Sequence, residues 1–220
     1  WTKVIREITV AAKGGPDPSD NPRLRLALDK ANAANMPKDT IKRAIQKGSG
    51  TGEMGAIEEL TFEGYGPNGV AILVETMTDN RNRTVADVRH AFSKFGGNMG
   101  TDGSVAYLFN KLGLVQIELS YEEDQVMEVA LDAGADDFIA TDDYYEIITT
   151  PSNLSAVADA LKQNNIETLL AENTMRADTL VNLDQEASEK VFKIMNFLDD
   201  LDDVQEVHTN AEFPEDFSSE

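Results

Sequence analysis

Apolar positions recur at two different periods along this chain, and the change of period divides it. Over residues 2–13, Val4, Ile5, Ile8, Ala11 and Ala12 follow the spacing of an amphipathic helix, and Gly14-Gly15 stop it. After a Gly/Pro/Asp loop, Asn21 is suited to cap a second helix with Pro22 in its first turn and Leu24, Ala27, Leu28 and Ala31 as its buried stripe. Pro37 opens a third helix with Ile41, Ala44 and Ile45 inward, ended by Gly48. Short helices with one apolar face each must bury it against one another or a neighbour. Residues 1–50 are therefore expected to form a helical domain, with a linker over Ser49–Gly55.

From Ile57 the period becomes two. Leu60 and Phe62 share a face ahead of a hairpin turn at Gly64–Gly69, and Val70–Val74 is apolar enough for a strand buried on both faces. A helix over Thr84–Phe95 would bury Val85, Val88, Phe92 and Phe95, and Gly103–Phe109 would return as a strand, giving β-β-α-β.

The next segment has the pattern of a complete unit. Leu114–Leu119 is a strand, Ser120 with Glu123 forms a capping box, and the following helix carries Val126, Ala130 and Ala133. Phe138–Ala140 and Tyr144–Thr149 are strands turned by Asp142-Asp143; Pro151–Asn164 is a helix and Thr168–Thr174 a last strand. This β-α-β-β-α-β order is the ferredoxin-like split βαβ. A helix over Asp184–Asp202 and a strand over Val204–His208 cannot stand alone, so they are expected to complete the earlier β-β-α-β unit. The expected fold class is α+β with three domains: 1–50, helical and basic; 56–111 plus 178–210, central; and 112–177, ferredoxin-like and inserted into the central one. Residues 211–220 read as a frayed acidic tail.

Charge changes this picture. The net charge is −21, yet residues 1–50 hold ten Lys/Arg against five Asp/Glu, residues 51–111 five against eight, and residues 112–220 four against 27. Such asymmetry suggests one face for an anionic partner and another that repels it. Cysteine is absent, which excludes disulfides and thiol chemistry, and no apolar run has the length of a membrane span. The chain reads as soluble and cytoplasmic.

The third helix carries Lys38, Lys42, Arg43 and Lys47 with Asp39 as its only acid; like-charge pairs at i,i+4 cost stability, so this face fits phosphate contact. Arg23 and Arg25 extend the basic area one helix earlier, and Lys3 and Arg6 add the first. Arg81 and Arg83 sit where a helix begins, at the end of the dipole that disfavours cations, and with Arg89 they form a second candidate cluster that Asp79 and Asp87 can orient. Most aromatics (Phe92, Phe95, Tyr107, Phe109) fall at core periodicity, leaving Tyr65, in a Gly-rich turn, as the candidate for base stacking.

Enzymatic patterns are missing. His90 and His208 lack metal-ligand spacing, Gly103-Ser104-Val105 lacks the surround of a nucleophile elbow, and Gly64–Gly69 leads into a strand where a phosphate loop leads into a helix. Asp199-Asp200 and Asp202-Asp203 read as a solvated helix end without EF-hand spacing. No enzyme, cofactor, metal, membrane or small-molecule substrate is expected.

Glu63-Gly64-Tyr65-Gly66-Pro67, Asp79-Asn80-Arg81-Asn82-Arg83-Thr84, Val88-Arg89-His90-Ala91-Phe92-Ser93-Lys94 and the run Gly96 to Val105 together resemble the YebC/PmpR family. Asn21-Pro22-Arg23-Leu24-Arg25 and Asn35-Met36-Pro37-Lys38-Asp39 match that family's first domain, so the resemblance spans essentially the whole chain. It implies the three-domain arrangement, a basic segment ahead of Trp1, and a DNA-binding regulator of transcription. Relatives of the family include mitochondrial translational activators of cytochrome oxidase, which implies the alternative of a translation activator on the ribosome, binding ribosomal RNA or tRNA. A third reading is a protein-interaction module using the acidic C-terminal half. The helices give no helix-turn-helix dimer signature, so the residues alone leave DNA and RNA both open.

Overall fold

A computed structural model describes residues 1–50 and 56–219 and divides the chain into two units, Trp1–Asn110 with Arg176–Glu220, and Lys111–Met175. Most of the expected linker, residues 51–55, lies outside the described residues.

The first unit opens with helices α1 (Thr2–Ala12), α2 (Pro22–Ala33) and α3 (Lys38–Ser49). Ile8, Ala11, Ala12, Leu24, Ala27, Ala31, Met36 and Ala44 form their common core. Asn21 does more than cap α2. Its Oδ1 accepts from the Leu24 amide at 3.0 Å, and its Nδ2 donates to the carbonyls of Ala11 and Gly15 at 2.7 and 2.9 Å, so one buried side chain ties two helices. Gly48 does not end α3. It lies within the last turn, where a Cβ would collide with the Thr9 carbonyl oxygen and stand 2.9 Å from the Ala12 Cβ. Its role is close approach of α1 and α3, because overpacking against backbone costs about 1–3 kcal/mol. Gly48→Ala should therefore lower the melting temperature and splay α3. Unchanged thermal unfolding of that variant would show that the contact is slack.

Strands β1 (Glu58–Tyr65) and β2 (Ala71–Thr78) form the expected hairpin, with Tyr65 opposite Ala71 and Asn68 at φ 60° in the turn. Helix α4 (Arg81–Lys94) follows, capped by Asn80 through the Arg83 amide at 3.1 Å. The expected strand over Gly103–Phe109 is not formed. The strand that pairs with β1 is the short β3 (Asn98–Met99), and residues 106–108 make a 3-10 turn. The cause is Glu63: its carboxylate accepts the amides of Gly103, Val105 and Ala106 at 2.6, 3.0 and 2.6 Å, and Gly103, at φ +87°, supplies the turn. Amides bound to a carboxylate are not available to a ladder.

In the second unit, β4 (Phe109–Glu118), α5 (Glu123–Asp132), β5 (Asp137–Ala140), β6 (Tyr144–Thr149), α6 (Leu154–Gln163) and β7 (Thr168–Ala177) give the sheet order β5-β6-β4-β7, the ferredoxin-like arrangement. The expected capping box is absent: the Ser120 hydroxyl bonds Glu118 at 3.2 Å, and α5 starts after Glu122. Its acidic first turn interacts favourably with the helix dipole in place of a side-chain cap.

The chain returns to the first unit through β8 (Val181–Asn182), α7 (Gln185–Asp199) and β9 (Val204–Thr209). β9 pairs antiparallel with β2 and closes the sheet in the order β3-β1-β2-β9. Helices α4 and α7 cover one face through Val88, Phe92, Val191, Ile194 and Leu198. The tail is not wholly frayed. β10 (Ala211–Glu212) pairs parallel with β8, and Phe217 packs on Phe213 and Phe192 at ring separations of 5.3 and 5.8 Å.

Candidate nucleic-acid interface

The candidate residues separate into cations already engaged within the protein and cations left for a partner. Arg6, on α1, donates to Asp203 Oδ1 at 2.6 Å and to the carbonyls of Asp202 and Met77 at 2.8 and 2.9 Å. Arg83 reaches the same carboxylate through Nε at 3.0 Å and its terminal nitrogen at 2.8 Å, and pairs with Asp79 at 2.8 Å. The Thr84 hydroxyl adds a third donor at 2.8 Å. Burial alone would raise the Asp203 pKa, but the hydrogen bonds from Arg83, Thr84 and Arg6 and the Arg6 charge outweigh it and hold the group at about 2. The same contacts raise the Arg83 pKa.

This cluster explains how Arg83 is held in the first turn of α4, where Arg81 pairs with Glu58 instead. The first turn holds no acid of its own, so the compensating carboxylate comes from the start of β9, and Asp79 supplies a second. Asp203 is thus a buried anion, in contrast to the solvated helix end expected from sequence. Arg6 and Arg83 fasten the helical domain and α4 to β9.

Other candidates are also engaged. Arg23 pairs with Glu59 at 2.5 Å and Arg81 with Glu58 at 3.4 Å, both on the exposed surface. Exposed pairs of this kind are worth little and open readily. Lys3 donates to the Asp199 carbonyl and carboxylate, and Arg25 to the carbonyls of Pro18 and Ser19 at 2.8 and 3.1 Å.

The α3 face is different. Lys38, Lys42, Arg43 and Lys47 are exposed, and among the described residues none of the four is paired with an acid; Arg43 has a long 3.5 Å contact to the Thr40 hydroxyl. Lys38 and Lys42 rim a cleft of about 370 Å³ floored by Leu28, Ile41 and Ile45. The arrangement comes from the sequence directly: Ile41, Ala44 and Ile45 pack toward the core, Lys38 and Lys42 border that stripe, and Arg43 and Lys47 lie farther round the helix. Arg89, on the exposed side of α4, likewise has no acidic partner among the described residues.

Tyr65 is 41% exposed and donates through its hydroxyl to the Ser104 carbonyl at 3.3 Å, so it is held at the rim of the Glu63 loop. Tyr107, expected in the core, is 73% exposed, because the 3-10 turn carries it out of strand alternation. Sequence reasoning missed both organising carboxylates, Glu63 and Asp203. The available signal for Asp203 was the uncompensated pair of arginines at a helix start, which demands an anion from elsewhere. Glu63 had no such signal.

Residues 1–51 match the family model described as the TACO1/YebC protein N-terminal domain, and residues 57–211 match the TACO1/YebC second and third domain. Similar proteins include the "Probable transcriptional regulatory protein IL1088" of Idiomarina loihiensis, 56% identical over 96% of this chain and 86% of its own length. Another is the "Probable transcriptional regulatory protein MCA1220" of Methylococcus capsulatus, 57% identical over 100% of this chain and 90% of its own. Among solved structures, a conserved hypothetical protein, Aq1575 from Aquifex aeolicus, is 42% identical with a TM-score of 0.90, covering 100% of this chain and 91% of its own.

Proposed function

The chain belongs to the TACO1/YebC family, and from that premise we propose that it is a non-enzymatic regulator of gene expression that binds nucleic acid through the exposed basic face of α3. One observation carries this reading: Lys38, Lys42, Arg43 and Lys47 crowd one surface with no acidic partner among the described residues, while the candidate arginines Arg6 and Arg83 are locked on Asp203. An array of cations that repel one another is retained at a cost unless phosphates neutralise it. Arg89 and the weakly paired Arg23 and Arg81 add to the positive surface. The names of the relatives support transcription as the process regulated.

A second reading is association with ribosomal RNA. The α3 array holds three lysines and one arginine, cations suited to the phosphate contacts that DNA and ribosomal RNA share.

Replacing Lys42, Arg43 and Lys47 together by Ala should weaken binding to duplex DNA and to a ribosomal RNA hairpin. It should also flatten the salt dependence of log affinity by up to ~0.9 for each phosphate that these side chains neutralise. Fluorescence anisotropy across a salt series measures both. Folding stability should hold or rise, since like-charge pairs disappear. An unchanged salt slope would remove α3 from the interface. A preference of ~10³ or more for one promoter over random DNA at physiological salt would favour the transcriptional reading. Cosedimentation with ribosomes at that salt, without such preference, would favour the ribosomal one.

A further inference from the structure

On the sheet face opposite α4 and α7, β2 and β9 bring Glu75, Glu206 and His208 together. Glu75 and Glu206 are directly opposed in the antiparallel register. Like charges so placed are destabilising, and here they flank a buried imidazole. His208 is 6% exposed, with Nε2 2.9 Å from a Glu75 carboxylate oxygen and 3.9 Å from a Glu206 one, and the three donor atoms all lie within 4.8 Å of one another. The strand register shifts between Glu75 and Thr76, a bulge that redirects the side chain beside it.

We propose that these three residues bind one divalent transition-metal ion, pinning β9 to β2. Ligand bonds of about 2.0–2.2 Å place neighbouring donors roughly 3–3.5 Å apart. His208 and Glu75 already stand near that separation, and the 3.9 Å between His208 and Glu206 would shorten on binding. One imidazole with two carboxylates suits zinc, manganese or ferrous iron, whereas magnesium and calcium favour oxygen alone. Both carboxylates keep a third of their side-chain surface exposed, which provides an entry path and leaves coordination positions for water. The buried imidazole fixes the position of the ion from below. This site is independent of the α3 surface, so it stands or falls separately from the proposed function.

The test is calorimetric titration of EDTA-treated full-length chain with zinc and, separately, manganese, with thermal unfolding at each metal concentration. The expected result is one saturable step at one equivalent, above the weak multi-site uptake of a protein with 40 acidic residues, together with a metal-dependent rise in melting temperature. Glu206→Gln should weaken that step at least tenfold, and His208→Asn should abolish it. Asp142→Asn with Asp143→Asn, in an exposed turn of the other unit, should leave it unchanged. A tenfold excess of magnesium should not compete. If His208→Asn fails to fold, Glu206→Gln decides, since it keeps the shape of a partly exposed side chain. Absence of a one-equivalent step, or a step that survives Glu206→Gln, would overturn the proposal and leave a hydrogen bond between His208 and Glu75.

Discussion

Asp203→Ala should destabilise the first unit by about 3 kcal/mol, because it removes the buried carboxylate that the part-buried Arg6, Arg83 and the Thr84 hydroxyl all share. For a chain of this length that is a drop of about 10 °C in the melting temperature. Scanning calorimetry of the full chain measures it, and a shift within about 2 °C would mean that solvent replaces the carboxylate easily. Arg83→Gln should act in the same direction with smaller effect, since Arg83 is 44% exposed on its side chain and Arg6 remains to neutralise Asp203. The pH dependence has a definite sign. Asp203 titrates at about 2 when folded and near the ordinary ~3.9 when unfolded. A group with a depressed folded pKa contributes its full stabilisation above the unfolded value and loses it as pH falls through the folded one. Stability should therefore fall between about pH 4 and pH 2. Glu63 and Asp79, also lowered, contribute in the same direction, so the Asp203 share is the difference between the wild-type and Asp203→Asn curves. Parallel curves would exclude Asp203 as the acid-sensitive group.

Truncation after Leu183 should abolish cooperative folding of the central sheet. It removes Val191, Ile194, Leu198 and Val204, each fully buried, and takes away β9, the neighbour of β2. On the proposed division of the chain, the converse deletion should be tolerated. Asn110 donates to Asp178 at 2.6 Å, so the two ends of the intervening segment already meet, and a short linker in place of 112–177 closes them with little strain. Amide NMR of both variants provides the check: the deleted form should keep dispersed resonances from 56–110, and the truncated form should lose them. Dispersed resonances from 56–110 in the 1–183 fragment would refute this reading of the topology.

The helices were the most legible elements because their signals are local. Asn21 before Pro22 caps α2 through the Leu24 amide, as the sequence suggests, and Asp184, read as the first residue of its helix, caps α7 through the Ala187 amide. The ferredoxin-like order was legible for a related reason: period-two and period-3.6 segments alternate there with clear turn residues between them. Where expectation failed, a distant group had intervened. Glu63 draws three amides out of the predicted 103–109 strand, and Gly48 serves a helix contact in place of a terminus. The tail pairs with β8 and packs its phenylalanines, a gain no local propensity records.

Sequence alone determined the α+β class, the ferredoxin-like order of elements, the charge separation and the crowding of cations on α3, since each follows from spacing and composition within one segment. Tertiary structure decided which cations are free. Arg83 and Lys42 look equally available along the chain, and they differ because Asp203, 120 residues beyond Arg83, folds back beside the start of α4. Carboxylate placement across β1, β2 and β9 likewise depends on strand register, which is a property of the sheet rather than of any strand. Electrostatic pairing acts through space, so its partners become visible only once the chain has closed on itself.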